Sequence, residues 1–294
     1  MDRLIRCITS SGGLMASAVD TSETVMIAQD IHNLTGTTAA VLGRTLTGTS
    51  LMGAMLKSDK ASVTVKILGD GPVGSVIAIS DSKGNVRGYV DRPMVELPLR
   101  SDGKLDVGGA VGHSGRFGVI RDFGSGEPYI GQVELISGEI AEDFTNYYAT
   151  SEQIPTACAL GVLTEKDSHN VLLAGGLLIQ VLPGADNKEI DKLEENIANL
   201  ESMTTMLAKS FSLEEIVKKA LDGFDVEILD ETPIHYGCTC SKQKYSQALI
   251  TLGKHELQDL PYIDGKIECV CPYCRKKYYF SGEEIDSLIK DAAE

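Results

Sequence analysis

The sequence predicts an α+β fold, a largely antiparallel sheet with helices packed on it, followed by a helical linker and a small C-terminal metal-binding domain. Three observations predict it. Short β-branched runs separated by Gly, Asn and Asp turns succeed one another through residues 62–90 and resume from residue 115. The helical stretches lie between groups of such runs rather than after each one, the pattern of helices covering one face of an antiparallel sheet. Five of the seven cysteines fall within the last 57 residues, which marks a site there.

Taken in order, 3-RLIRCITS-10 reads as the first strand. The stretch 37-TTAAVLGRTLTGTSLMGAML-56 lacks proline, is rich in small residues and carries Leu42, Leu46, Met52, Met55 and Leu56 near helical spacing, so it reads as a buried helix. Next, 62-SVTVKIL-68, 75-SVIAIS-80 and 86-VRGYV-90 form a meander joined by 69-GDGPVG-74 and 81-DSKGN-85. The strands 115-GRFGVIRD-122 and 130-IGQVEL-135 continue it. A helix is expected over 138–153, then strands at 157-ACALGVLTE-165 and 171-VLLAGGLLIQVL-182. These elements make up a core domain, residues 1–185.

At Pro183-Gly184 the character changes. Residues 186–230 hold twelve acidic and five basic residues, a net of −7 in a chain of net −15. Ile190, Leu193, Ile197, Leu200, Met203 and Leu207 keep three- and four-residue spacing, which predicts one amphipathic helix with a charged outer face. A shorter helix follows at 212-SLEEIVKKAL-221, opened by a Ser212/Glu215 capping box. This segment is read as a helical linker. Residues 231–294 are the cysteine-bearing domain, closing on a helix that a Ser281/Glu284 capping box opens.

Composition excludes several classes. With 43% hydrophobic and 23% charged residues, the 294-residue chain is globular rather than disordered. A charge of −15 disfavours nucleic acid and anionic membranes as partners. The longest apolar run, 171-VLLAGGLLIQVLPG-184, is too short to span a bilayer, and the N-terminal stretch has no uninterrupted apolar core of a signal peptide. A cytoplasmic location is expected, and with it reduced cysteines.

The literal G-x-G-x-x-G at 69–74 contains Pro72 and opens no helix, so it reads as a turn. The five histidines show no metal-like spacing, and neither a G-x-S-x-G elbow nor an H-E-x-x-H pair occurs. An enzyme is not expected. CPYC at 271–274 matches an oxidoreductase dithiol, but the twenty residues after Cys274 cannot supply the fold that motif needs.

The metal reading is stronger. Cys238, Cys240, Cys271 and Cys274 form C-x-C-x30-C-x-x-C, two close pairs able to offer zinc a tetrahedron of thiolates at about 2.3 Å. A piece of this size buries too little surface to be secure alone, so zinc would supply most of its folding energy. Two local features favour a redox role over a purely structural one. A C-x-C disulfide closes a tight, strained ring, which is the labile kind. Arg275, Lys276 and Lys277 directly follow Cys274 and are expected to favour thiolate. Oxidation of the four ligands to two disulfides would release zinc and unfold the piece.

The C-x-C…C-x-x-C tail resembles the zinc motif of the 33 kDa heat-shock protein family, the redox-regulated holdase chaperones. So do 32-HNLTGTTAAVLGRTLTGTSLMGAMLK-57, 67-ILGDGPVGSVIAISDSKGNVRGYV-90, 126-GEPYIGQVELISGEIAEDFTNYYATSEQIPTACALGVL-163 and 175-GGLLIQVLPGA-185, in order along essentially the whole chain. The resemblance implies a reduced, inactive form in which Cys238, Cys240, Cys271 and Cys274 hold one zinc ion. It implies that oxidation pairs Cys238 with Cys240 and Cys271 with Cys274, that zinc is released, and that the C-terminal domain unfolds and the linker loosens. Homodimers of the oxidised form then hold unfolding clients without ATP. Cys269 lies outside the family pattern, free to compete for zinc or to mispair with Cys271. Ile190, Leu193, Ile197 and Leu200 are the candidate client-binding residues, expected to be covered in the zinc form and exposed after oxidation. The rival readings are a constitutive zinc module docking a fixed partner and a thiol oxidoreductase.

Overall fold

The computed structural model describes residues 1–291. They divide into two compact units, Met1–Gly237 and the residues from Cys238 onward. The first unit runs β1 (Arg3–Thr9), β2 (Leu14–Asp20), α1 (Ser22–His32), α2 (Gly36–Gly53), β3 (Ser62–Gly69), β4 (Ser75–Asp81), β5 (Val86–Val90), α3 (Val107–Val111), β6 (Gly115–Asp122), β7 (Tyr129–Glu134), α4 (Ala141–Tyr147), β8 (Thr156–Thr164), β9 (Val171–Val181), α5 (Asn187–Ala198), α6 (Met203–Ala208), α7 (Leu213–Ala220) and β10 (Val226–Pro233). The strands form two five-stranded antiparallel sheets, ordered β10-β1-β2-β9-β8 and β5-β4-β3-β6-β7. The class is α+β, as the sequence predicts.

Helix α2 lies between the sheets, touching β3, β4 and β5 of one and β2, β8 and β9 of the other. Every residue of it but Arg44 is buried, which explains its small-residue composition. A Cβ on Gly48 would stand 2.4 Å from Phe144 Cε2. The hydroxyls of Thr45, Thr47 and Thr49 donate to carbonyls one turn back, at 2.8, 2.7 and 2.6 Å, so these three are buried with their donors satisfied. A second core forms on the other face of the first sheet. There Ile5, Leu14, Ala16, Leu177 and Ile179 meet Leu193, Met206, Leu207, Ile216 and Val217 of α5–α7.

Several elements differ from the sequence expectation. Strand β2 and helix α1 were not expected. LMASAVD is buried on both faces and so shows no alternation. The single helix expected through Leu207 breaks over 199–202. Asn199 caps α5, its side chain donating to Glu195 O at 2.8 Å, and the Ser202 hydroxyl accepts the Thr205 N–H to start α6. The helix expected over 138–153 is α4 followed by a π-turn at Tyr148–Glu152. Residues 226–233 are a strand, not helix or linker coil, because their carboxylates are paired across the ladder: Arg6 with Asp230 and Arg3 with Glu231. Segment 186–230 thus lies within the first unit, and the boundary drawn at 230/231 falls inside β10.

The second unit holds α8 (Lys242–Ile250), α9 (Lys254–Gln258), the hairpin β11 (Lys266–Val270) and β12 (Lys277–Ser281), and α10 (Gly282–Asp291). The Ser281/Glu284 box is formed at the start of α10, with both bonds present. Six buried residues make its core: Leu249, Leu257, Ile267, Tyr278, Phe280 and Ile285.

Candidate metal centre

Two short turns carry the four sulfurs. Cys238 and Cys240 lie just ahead of α8, whose start is fixed by the Ser241 hydroxyl accepting the Lys244 N–H at 3.2 Å. Cys271 and Cys274 occupy the loop joining β11 to β12. That loop is closed by the Cys271 N–H donating to Lys276 O and the Arg275 N–H donating to Cys271 O, both at 2.9 Å. Arg275 takes a left-handed φ of 58° to complete the turn. The two turns meet: Cys238 Sγ lies 3.7 Å from Cys271 Sγ, and Cys240 Sγ lies 3.4 Å from Cys274 Sγ.

All four Sγ atoms fall within 4.8 Å of one another. A tetrahedral ion with metal–sulfur bonds of about 2.3 Å has sulfur–sulfur edges of about 3.8 Å, so the thiols present fit such an ion. Four cysteine ligands form a closed set that suits a structural ion, with no position left for a reacting water. All seven cysteines of the chain are free thiols here.

The thiols differ in acidity. Burial raises Cys271, but the backbone N–H groups of Cys274 and Tyr273 and the Tyr245 hydroxyl outweigh it and bring the thiol down to about 7. Burial pushes Cys238 up to about 12 and raises Cys274 as well. A bound cation reverses that preference, since coordinating thiols are deprotonated outright. Outside the cluster, burial raises Cys7 to about 11, Cys158 to about 12, and Cys269 by a smaller step. Those three are inert thiols near neutral pH.

The basic run after Cys274 does not have the expected role. Lys276 stands over the Tyr278 ring, 5.5 Å from its centroid, and Lys277 pairs with Glu268 at 3.1 Å. Backbone donors in the knuckle, not these cations, lower Cys271. Two tyrosines that sequence reasoning passed over touch the sulfurs. The Tyr278 hydroxyl donates to Cys240 Sγ at 3.1 Å, and Tyr245 bonds to Cys271. Their rings lie 5.1 Å apart. The signal available was the alternation of YYF after the knuckle, which buries Tyr278 and Phe280 and exposes Tyr279.

The remaining candidates lie elsewhere. Cys269 sits on β11 opposite Tyr278, outside the group of four. Leu193 is 5% exposed in the core beneath α5–α7, Ile197 and Leu200 pack partly buried against it, and Ile190 is half-buried. No helix among the described residues is long and apolar enough to cross a membrane.

A family model described as Hsp33 protein matches residues 2–281. A 33 kDa chaperonin of Clostridioides difficile (strain 630) is 46% identical over 290 residues, covering 99% of each chain. One from Acetivibrio thermocellus is 43% identical, covering 98% of this chain and 97% of its own. The crystal structure of the 33 kDa chaperonin (heat shock protein 33 homolog) from Thermotoga maritima superposes with a TM-score of 0.87 at 37% identity, covering 98% of both chains.

Proposed function

The chain belongs to the Hsp33 family, and on that premise we propose that it is a redox-regulated, ATP-independent holdase that keeps unfolding proteins from aggregating. Its relatives carry chaperonin names, not enzyme names. One observation carries the reading of the switch: four free thiols from two distant turns converge within 4.8 Å.

In the reduced form Cys238, Cys240, Cys271 and Cys274 hold one zinc ion as thiolates. Zinc, when bound, cross-links the two turns, a contribution on the order of 10–16 kcal/mol in small zinc peptides. Oxidation by a peroxide removes two electrons from each pair. Cys238 bonds to Cys240 and Cys271 to Cys274, and each hydrogen peroxide, taking up two protons, becomes two waters. The sulfurs so joined are no longer thiolate ligands. The second unit, left with a core cluster of six buried side chains, then loses its fold. Residues 186–230 act as a linker between the core, 1–185, and the switch domain, 231–294. On oxidation they loosen and present Ile190, Leu193, Ile197 and Leu200 to clients, and the oxidised chains pair as homodimers. The setting is the cytoplasm, with neither nucleic acid nor membrane as partner.

Aggregation of a heat-unfolded client, followed with and without peroxide while released zinc is measured, tests this. Suppression only after peroxide, in step with loss of one zinc per chain, is expected. Suppression indifferent to peroxide would instead mark a constitutive module, and turnover of a disulfide substrate an oxidoreductase.

A further inference from the structure

The first sheet ends in an open edge. β8 pairs with β9 on one side and with no strand on the other among the described residues. The Val181 N–H donates to Pro155 O at 2.9 Å, which sets the alternation of the antiparallel ladder. Odd-numbered residues of β8 bond to β9, so the backbone N–H and C=O of Cys158, Leu160 and Val162 point outward. None of them has a hydrogen-bond partner among the described residues.

This edge is recessed, because helices on both faces of the sheet overhang it. A cavity of about 770 Å³ runs along Leu160–Thr164, with Thr37 and Arg44 of α2 on one wall and Met203 and Thr204 of α6 on the other. A second, of about 410 Å³, runs along Thr156–Ala159, between Thr145 of α4 and the pair Ile197 and Leu200. Ser202 lines both, so together they follow the whole strand. The break between α5 and α6 is what opens the slot. On the α2 wall Thr37 Oγ1 and Arg44 Nε are buried without partners, and Thr37 is 1% exposed.

We propose that this slot receives an extended polypeptide segment, a stretch of unfolded client, as a sixth strand of the sheet. The inference rests on the holdase reading for the source of the segment and adds where and how it is held. Backbone pairing reads no sequence, which suits clients of unrelated composition. The larger cavity is charge-balanced within a chain of net −15: Arg44, Arg100, Lys104 and Lys166 are matched by Glu96, Asp102, Glu139 and Glu165, so acidic segments are not repelled there. One end is continuous with Ile197 and Leu200, the stripe assigned to clients above. A second copy of the chain does not fit, since two edges each sunk beneath their own helices cannot approach to the strand spacing of about 4.8 Å. With zinc held, α5 and α6 overhang the edge, and loosening of the linker uncovers it, so the contact follows oxidation.

Amide exchange of the full chain tests this, in the zinc form and after peroxide, with a reduced and carboxymethylated polypeptide as probe. The amides of Cys158, Leu160 and Val162 should slow roughly tenfold or more on adding the probe after peroxide, and stay unchanged in the zinc form. Leu160→Pro removes the central outward N–H and spares the ladder; it should weaken probe binding roughly three- to tenfold. Should that variant not fold, the exchange result on the unaltered chain decides. Peroxide-dependent suppression of aggregation with no slowing at these three amides overturns the slot and leaves the holdase reading intact. Slowing at the three amides with suppression indifferent to peroxide supports the slot and sinks the redox switch. Slowing that rises with the protein's own concentration, without probe, identifies a second copy as the occupant and overturns the proposal.

Discussion

The two compact units keep their shape by different means. In Met1–Gly237 two five-stranded sheets close on a helix buried along its whole length, and a second core lies under α5–α7. From Cys238 onward the described residues give a core cluster of six buried side chains and a two-stranded hairpin, an element that is marginal on its own. The sulfur cluster sits in the smaller unit. Under the proposed function, fold is independent of thiol chemistry in one unit and conditional on it in the other. It also makes the comparison breakable, because a change that unfolds one unit should leave the other standing.

The largest effect is expected from Cys271→Ser. It removes the one thiol held down to about 7 and leaves three ligands. The variant should bind no zinc at stoichiometric concentration, and amides of the second unit should exchange as in an unfolded chain. This is a loss on the order of 10 kcal/mol. Exchange in β3–β6 should be unchanged; loss of protection there as well would mean that the two units do not fold independently.

Gly48→Ala is the converse. The added methyl meets the Phe144 ring at 2.4 Å between two sheets that cannot both give way, at a cost of about 1–3 kcal/mol. Thermal unfolding of the first unit should shift down while zinc content stays the same. A variant that lost zinc along with stability would tie the cluster to the large core.

How much of this was legible in the sequence follows the same division. The cysteine tetrad could be read because the close pairs of a metal-binding set keep their spacing whatever surrounds them. The strands at 62–90 could be read because one face is buried and the other is not, so Val63, Val65 and Ile67 alternate with Thr64, Lys66 and Leu68. Strand β2 could not, since Ala16, Ser17, Ala18 and Val19 are all buried and leave no period. The break at 199–202 hid inside an apolar spacing that continues across it from Leu200 to Met203, and only the local bonds of Asn199 and Ser202 reveal it. The carboxylates of β10 looked like a solvated linker because their partners, Arg3 and Arg6, lie more than 220 residues away. The hydroxyls of Tyr245 and Tyr278 were invisible for the same reason, being brought to the sulfurs by tertiary structure alone.

A smaller, pH-dependent effect is expected where the linker helices meet the sheet. Arg3 forks onto Glu214 of α7 through bonds of 2.6 and 2.8 Å and holds its carboxyl down to about 2, from an ordinary 4.5. A lowered carboxyl stabilises the folded form above its unfolded pKa, and that contribution is lost as pH falls through the folded value. Opening of α7, read by amide exchange, should therefore rise between pH 4.5 and about 2. Glu214→Gln should flatten that rise. Because the pair is more than a third exposed on the Glu214 side, water screens it and the effect at neutral pH is small.

The smallest effect is expected at Cys269, and it is the most discriminating within the second unit. Cys269 lies on β11, two residues before Cys271 in the loop that follows the strand. Proximity in sequence would therefore make it a rival ligand. Yet it lies outside the convergent four, packs partly buried against the small core, and has its thiol raised by that burial. Its position keeps it from the metal, and a protonated thiol is a poor competitor for peroxide. Cys269→Ser should keep one zinc per chain and the same peroxide response as the unaltered protein. A faster or more complete response in the variant would show that Cys269 captures Cys271 in a mispaired disulfide during oxidation. In that event the hairpin opens before the pairs within each knuckle have formed, and the conditional fold of this unit would begin to fail at β11 rather than at the metal centre.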